Sequence, residues 1–391
     1  MIPTIQPLAH DPLNLKEITI RRLRLRLRVP FRTSFGTQQE RDTILVILKT
    51  HDGLIGVGEA PSLVAPMYDE QYIWSDYDVL QRFLVPHIPT TITSYTQLQD
   101  ETLSSIKGHH FSKCGIEAAY WNLVSQQTGE SLKTLWGGEA DIVVAGFSIG
   151  GQSLEDVLAR AEVAIQAGFR RLKIKIWPSH DVQVIAALRE RYPDLMLQVD
   201  ANCAYDPFNP DHQRALKALD DFGLLMIEQP FSPHDFLDHT RFQAELNLQT
   251  PIALDESVLS VDDARRAIEM WRLFGVEDKL IINIKPPRVG GYWQGRLIAE
   301  MGYEQGIPCW MGGMLELGLG KWMNVILSSH PGCRLPGDHL QPQPYYERDI
   351  ADPLPSIQPD GTIAVPSHWG GCAVDWQAVE ELTIDLHTDK R

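Results

Sequence analysis

A few short stretches carry side chains that could do chemistry. Asp200 closes the apolar run LQVD, Glu228 closes LMIE and Asp255 closes IALD, so each carboxylate stands where an apolar segment passes into a loop. Three oxygen donors without His or Cys company suit a hard cation, which favours Mg²⁺ over Zn²⁺ and admits Mn²⁺ as a substitute. Without a cation, gathered carboxylates raise one another's pKa. Lysines also interrupt apolar runs: Lys173 and Lys175 in RLKIKIWP, and Lys285 in INIKPP. A lysine desolvated near other cations drops in pKa toward the range where it exchanges protons. Carboxylates, cation and lysines together describe proton removal from a carbon acid, with the enolate's charge balanced by the cation while lysines move the proton. Secondary candidates for substrate contact are Ser148, Asn202 in VDAN, and the segment WMGGMLE, whose Gly312 permits close backbone approach and whose Met314 follows it.

These residues need a frame. In a strand, side chains alternate, so Lys173 and Lys175 share one face and Leu172, Ile174 and Ile176 the other. From residue 142 onward an apolar strand, a turn and a helical pattern recur. Strands are expected at 142–148, 172–176, 195–200, 224–228, 252–255, 280–285 and 307–311, and helices at 153–167, 180–191, 211–222 and 261–271. Such alternation implies parallel βαβ units and an α/β fold, a (β/α)-barrel of the modified TIM type. It has seven to eight strands, the eighth near 333–335. In a closed barrel the apolar face meets the helix layer, so the lysines point inward. Asp200, Glu228 and Asp255 then end strands three, four and five at the rim where barrel active sites gather. Strand six lies across from strand two, so Lys285 and the Lys173/Lys175 pair flank whatever the cation holds.

The first third reads differently. Residues 18–60 alternate as antiparallel strands with a turn at Asp52-Gly53, and helical patterns follow at 71–84 and 111–128. Alternating Arg22, Arg24, Arg26 and Arg28 fits a strand with one solvated face. The expected division is an α+β capping domain over 1–138, the barrel over 139–336, and a segment over 337–391 that packs back on the capping domain, with a short strand at 363–365.

Composition narrows the partners. Acidic residues number 51 against 35 basic ones, a net charge of −16, which disfavours nucleic acid or an anionic membrane surface. The start lacks a basic region followed by an apolar core, and the five cysteines are scattered without a CxxC pair. The expectation is a cytoplasmic enzyme without disulfides or a thiolate zinc site, acting on a small-molecule carboxylate, with homo-oligomerisation compatible. No phosphate loop, nucleophile elbow or dinucleotide fingerprint is present. A barrel that only bound a ligand would need no such set of lysines and carboxylates.

The ordered motifs KIK, VDAN, IEQP, LDES, NIKPPRVGG and GGMLE resemble the enolase superfamily, within its muconate-lactonising subgroup; the resemblance implies lysine bases working with Mg²⁺. PFRTSFGTQQERD and the GVGE of residues 56–59 resemble the subgroup's capping domain. TSFGTQQERD, APMYDEQY and LPGDHLQPQPYYERDI are most similar to the o-succinylbenzoate synthase family and its N-succinylamino acid racemase relatives. The resemblance implies Lys175 as the strand-two acid/base, Lys285 as its partner on the opposite face, Lys173 as electrostatic support, and Asp200, Glu228 and Asp255 as Mg²⁺ ligands. It also implies that Phe35 and Tyr68 belong to capping loops that close over the substrate. The implied activity is syn-dehydration of 2-succinyl-6-hydroxy-2,4-cyclohexadiene-1-carboxylate, a hydro-lyase step of menaquinone biosynthesis. Racemisation of N-succinylamino acids, dipeptide epimerisation and muconate cycloisomerisation would use the same rim.

Overall fold

The computed structural model describes residues 2–3, 5–33, 36–151, 153–340, 344–368 and 371–391. Phe35, assigned above to a capping loop, lies outside them. The antiparallel part is built on a long strand Leu13–Thr33 paired with Gly36–Thr50, which pairs in turn with Ile55–Ala60. The turn expected at Asp52-Gly53 forms, with Gly53 at φ +96°. The helix His110–Thr128 lies on this sheet so closely that a Cβ on Gly56 would meet the Ala119 carbonyl oxygen at 2.2 Å, and one on Gly58 the Gly115 oxygen at 2.1 Å. The GVGE glycines are therefore a packing requirement. Of the alternating arginines, Arg24 and Arg26 face solvent, but Arg22 is buried because Asp42 and Asp385, from the strands on either side, both pair with it.

The parallel sheet runs Gly146–Ile149, Arg171–Lys175, Met196–Asp200, Ile227–Glu228, Ile252–Leu254, Leu280–Ile284 and Cys309–Met311, each strand beside the next in chain order. They are strands one to seven below. The eighth stave is present without being a regular strand. Cys333 bridges Cys309, Gly337 bridges Ala145, and Arg334 and Asp338 donate backbone hydrogen bonds to Cys309 and Met311. Residues 332–338 thus join strand seven back to strand one. The expected first strand splits at Ala145: Ile142–Val144 pairs instead with Thr362–Ala364. This corrects the reading of residues 363–365, which pack on the segment leading into strand one; the strand that joins the capping sheet is Thr383–Lys390, paired antiparallel with Leu13–Thr33.

Leu172, Ile174, Leu197 and Val199 are fully buried beneath the helices, and the alternate positions turn inward as parity requires. Among the described residues no helix is long and apolar enough to cross a membrane. All five cysteines are free.

Candidate active site

Strand register assembles the site in rows. Ser148, Lys173 and Gln198 are adjacent Cα partners, and one level higher Lys175, Asp200 and Glu228 form a second row. Asp255 follows strand five and Lys285 follows strand six. Lys173 is buried, and its ammonium lies 2.7 Å from Asp338, 3.2 Å from Glu228 and 3.3 Å from Asp200. Burial alone would lower its pKa, but the three carboxylates outweigh that and raise it well above the ordinary lysine value. Lys173 is a permanent cation of the barrel interior.

Lys175 is different. Its side chain keeps 33% exposure, and its ammonium donates to Asp200 at 2.5 Å and to the Asn202 side-chain oxygen at 2.6 Å. Across the barrel, Lys285 donates to Asp255 at 2.8 Å and to the Tyr68 hydroxyl at 3.2 Å. Tyr68 reaches down from the capping loop and donates to the other Asp255 oxygen at 2.8 Å. The two lysines thus approach the carboxylate group from opposite sides, each through a different aspartate.

The carboxylates are unequal. Burial pushes Glu228 up to about 8, Asp200 beside it adds to the rise, and Lys173 opposes it. Burial also disfavours ionised Asp200 and Asp255, yet Lys175 with Lys173 holds Asp200 below the usual carboxylate range, and Lys285 with Arg288 holds Asp255 well below it. Glu228 accepts from Asn283 at 2.8 Å and from Gln198 at 3.2 Å.

The sequence predicts three carboxylates aimed at one volume, and the structure meets that in part. Their strand ends are neighbours, but among the described residues no three His, Cys, Asp or Glu side chains gather as a metal-holding cluster. The reason is the competing cations, since lysine or Arg288 takes oxygens of each acid. The donor set still fits a hard divalent ion. It is all oxygen, it is desolvated, and the adjacent Glu256 has a buried Oε2 without a hydrogen-bond partner.

Of the secondary candidates, Asn202 links Lys175 to Glu256, donating to the latter at 2.9 Å. Ser148 lies beside Lys173 in register. Gly312 abuts the Lys285 stem, where an added Cβ would stand 2.8 Å from Lys285 Cε and 2.4 Å from Asn283 Oδ1. Met314 is buried in the loop beyond strand seven.

Four residues with no role in the sequence reading also belong to the site. Gln198 and Asn283 stand two positions before Asp200 and Lys285, and the alternation that turned the lysines inward locates them too. Arg288, one turn beyond Lys285, is buried and pairs with Asp255. Asp338 sits on the irregular eighth stave, where no periodicity marks it.

Comparison with known proteins places the chain in a family. Residues 156–378 match the family described as Enolase C-terminal domain-like, and residues 15–137 match the Mandelate racemase / muconate lactonizing enzyme, N-terminal domain. The chain is 39% identical over 373 residues to o-succinylbenzoate synthase of Geobacillus stearothermophilus, covering 95% of this chain and 96% of that one. It is 35% identical over 374 residues to N-succinylamino acid racemase of Thermus thermophilus, covering 95% and 98%. A solved enolase-superfamily member from Listeria innocua superposes with a TM-score of 0.88 at 30% identity, covering 97% of this chain and 99% of that one.

Proposed function

Because the chain belongs to the enolase superfamily, we propose that it is an o-succinylbenzoate synthase, dehydrating 2-succinyl-6-hydroxy-2,4-cyclohexadiene-1-carboxylate. The observation that carries this reading is the pair of lysines set on opposite sides of one buried carboxylate group, in a chain 39% identical to such a synthase along nearly its whole length. Asp200, Glu228 and Asp255 would hold Mg²⁺, which when bound would supply positive charge to acidify the α-proton of a substrate carboxylate.

The protein's own groups do the rest. Lys175, the accessible lysine, removes the α-proton, and its hydrogen bond to Asn202 orients it. The same ammonium then returns its proton to the departing β-hydroxyl on the same face. Water leaves, and the ring becomes aromatic. Lys285 remains cationic on the other face and stabilises the negative charge that develops in the ring. Tyr68 covers this end and excludes solvent.

A second reading is favoured by the 35% identity to an N-succinylamino acid racemase and by the full second lysine. There Lys175 and Lys285 take and give the proton on opposite faces. A paired assay with Mg²⁺ separates them: loss of the cyclohexadiene absorbance in one arm, deuterium uptake at the α-carbon of N-succinylamino acids in D₂O in the other. Fast dehydration with negligible exchange supports the synthase. Exchange without dehydration overturns it, and so does inactivity in both arms.

A further inference from the structure

The capping part touches the barrel unevenly. Glu117, on the helix His110–Thr128, is buried, and its carboxylate accepts the backbone N–H groups of Tyr292 and, at 3.0 Å, Trp293, the first residues of the helix Tyr292–Gln305. Lys285 stands just before that helix: Arg288 and Val289 donate to its carbonyl, and Gly291 donates to that of Pro286, so one compact turn separates the lysine from the carboxylate's grip. Glu59, at the end of the capping strand Ile55–Ala60, accepts the N–H of Leu317 at 2.9 Å, ahead of the helix Gly318–Leu327. Arg41, also buried, donates one amino group to the carbonyls of Pro61 and Met314, both at 2.6 Å. Met314 and Leu317 belong to the loop that starts at Gly312, which abuts the Lys285 stem.

The barrel groups in these contacts all lie after strands six and seven. The loop after strand two, residues 176–182, hydrogen-bonds only within the barrel among the described residues. Buried carboxyl groups on helix N-terminal amides and a guanidinium on a loop carbonyl are directional anchors, because they satisfy backbone groups that have no partner within the helix or loop. They act on the backbone that sets one lysine and leave the other alone.

We propose that Arg41, Glu59 and Glu117 are positioning residues for Lys285, so that the capping domain sets the geometry of one face of the site while the barrel alone sets that of Lys175. The inference rests on the assignment of Lys285 to the face opposite Lys175. It predicts face-selective damage, which general destabilisation does not produce.

The test uses the full-length protein with Mg²⁺, comparing wild type with Arg41→Met, Arg41→Lys and Glu117→Gln. Hydrogen–deuterium exchange measured on peptides spanning 279–293, 309–320 and 171–182 gives the first readout. In Arg41→Met, peptide 309–320 is expected to lose protection, and in Glu117→Gln peptide 279–293, while 171–182 is unchanged. The second readout is α-proton exchange from each enantiomer of an N-succinylamino acid, with Lys175→Ala and Lys285→Ala identifying which lysine serves which. Exchange through Lys285 should fall on the order of a hundredfold relative to exchange through Lys175, as a displacement of about an ångström would cause, with partial recovery in Arg41→Lys. Equal loss for both enantiomers, or equal loss of protection in all three peptides, overturns the proposal. If the wild type exchanges neither enantiomer, the lysine assignment loses this support, and the protection pattern alone decides the inference. Should Arg41→Met fail to fold, the two milder variants carry both readouts.

Discussion

Asp338 holds the Lys173 ammonium at 2.7 Å with one oxygen and the buried Arg171 guanidinium at 2.6 Å with the other. It does so from the one stave of the barrel that is not a regular strand. Arg171 also donates to the Pro336 carbonyl at 2.6 Å, so two cations on strand two fasten residues 336–338 beside the isolated backbone bridges that close the sheet. Closure and the cationic interior are one structure.

Replacing Asp338 with Asn should therefore cost stability well beyond a surface change. It removes the charge between two buried cations, and breaking a buried pair from one side costs about 3–5 kcal/mol. The measurement is the urea midpoint of Asp338→Asn against wild type at neutral pH; a change of a few tenths of a kcal/mol would show that the closure does not depend on this charge. Below the ordinary aspartate range the difference should shrink. Burial disfavours the Asp338 anion, but Arg171 and Lys173 outweigh it and hold its folded pKa well below the unfolded one, so its contribution is present above the unfolded value and lost as pH falls through the folded one.

The capping anchors have the opposite pH sign. Burial pushes Glu59 up to about 8, with Glu316 beside it adding to the rise and Thr43 and Arg41 opposing it, and burial pushes Glu117 up to about 7 against the hydrogen bonds it accepts. A carboxyl whose folded pKa exceeds its unfolded one holds a proton in the folded state that the unfolded chain has released. Its contribution is complete below the unfolded value and is lost as pH rises through the folded value. Thermal stability from these two groups should decline from about pH 5 toward pH 8. Glu59→Gln cannot titrate, so its Tm should fall less over that interval than that of the wild type, with the difference between the curves isolating Glu59. Parallel curves would mean that Glu59 is ionised throughout.

What the sequence made legible follows from which residues obey a period. Strand alternation turns Lys173 and Lys175 inward, because a barrel enforces a period of two on every stave, and the ends of apolar runs mark Asp200, Glu228 and Asp255. The eighth stave has no such pattern: its hydrogen bonds come as isolated bridges, so nothing in the sequence marks Asp338 as facing inward. Residues 363–365 look like any short strand, and only the partner segment Ile142–Val144 decides which body they join. Arg288 is hidden for another reason. An arginine beside prolines reads as a surface loop until the chain folds it onto Asp255.

Gly312 offers the sharpest local test of how the loop beyond strand seven sets Lys285. Its backbone passes so near the lysine that a Cβ would stand 2.8 Å from Lys285 Cε, 2.9 Å from Cγ and 2.4 Å from Asn283 Oδ1. Contacts of that length force movement. Asn283 is fixed by its hydrogen bond to Glu228, and Lys285 by Asp255 and Tyr68, so either the loop retreats or the lysine leaves Asp255. Overpacking of this kind typically costs about 1–3 kcal/mol of stability, whereas a displaced catalytic group of about an ångström costs on the order of a hundredfold in rate. Gly312→Ala should thus fold with a modestly lower Tm and show a disproportionate loss of kcat on the cyclohexadiene substrate. The check is kcat and Tm on the same preparation. A variant that loses several degrees yet keeps wild-type kcat would place Gly312 in packing alone and detach the loop from Lys285.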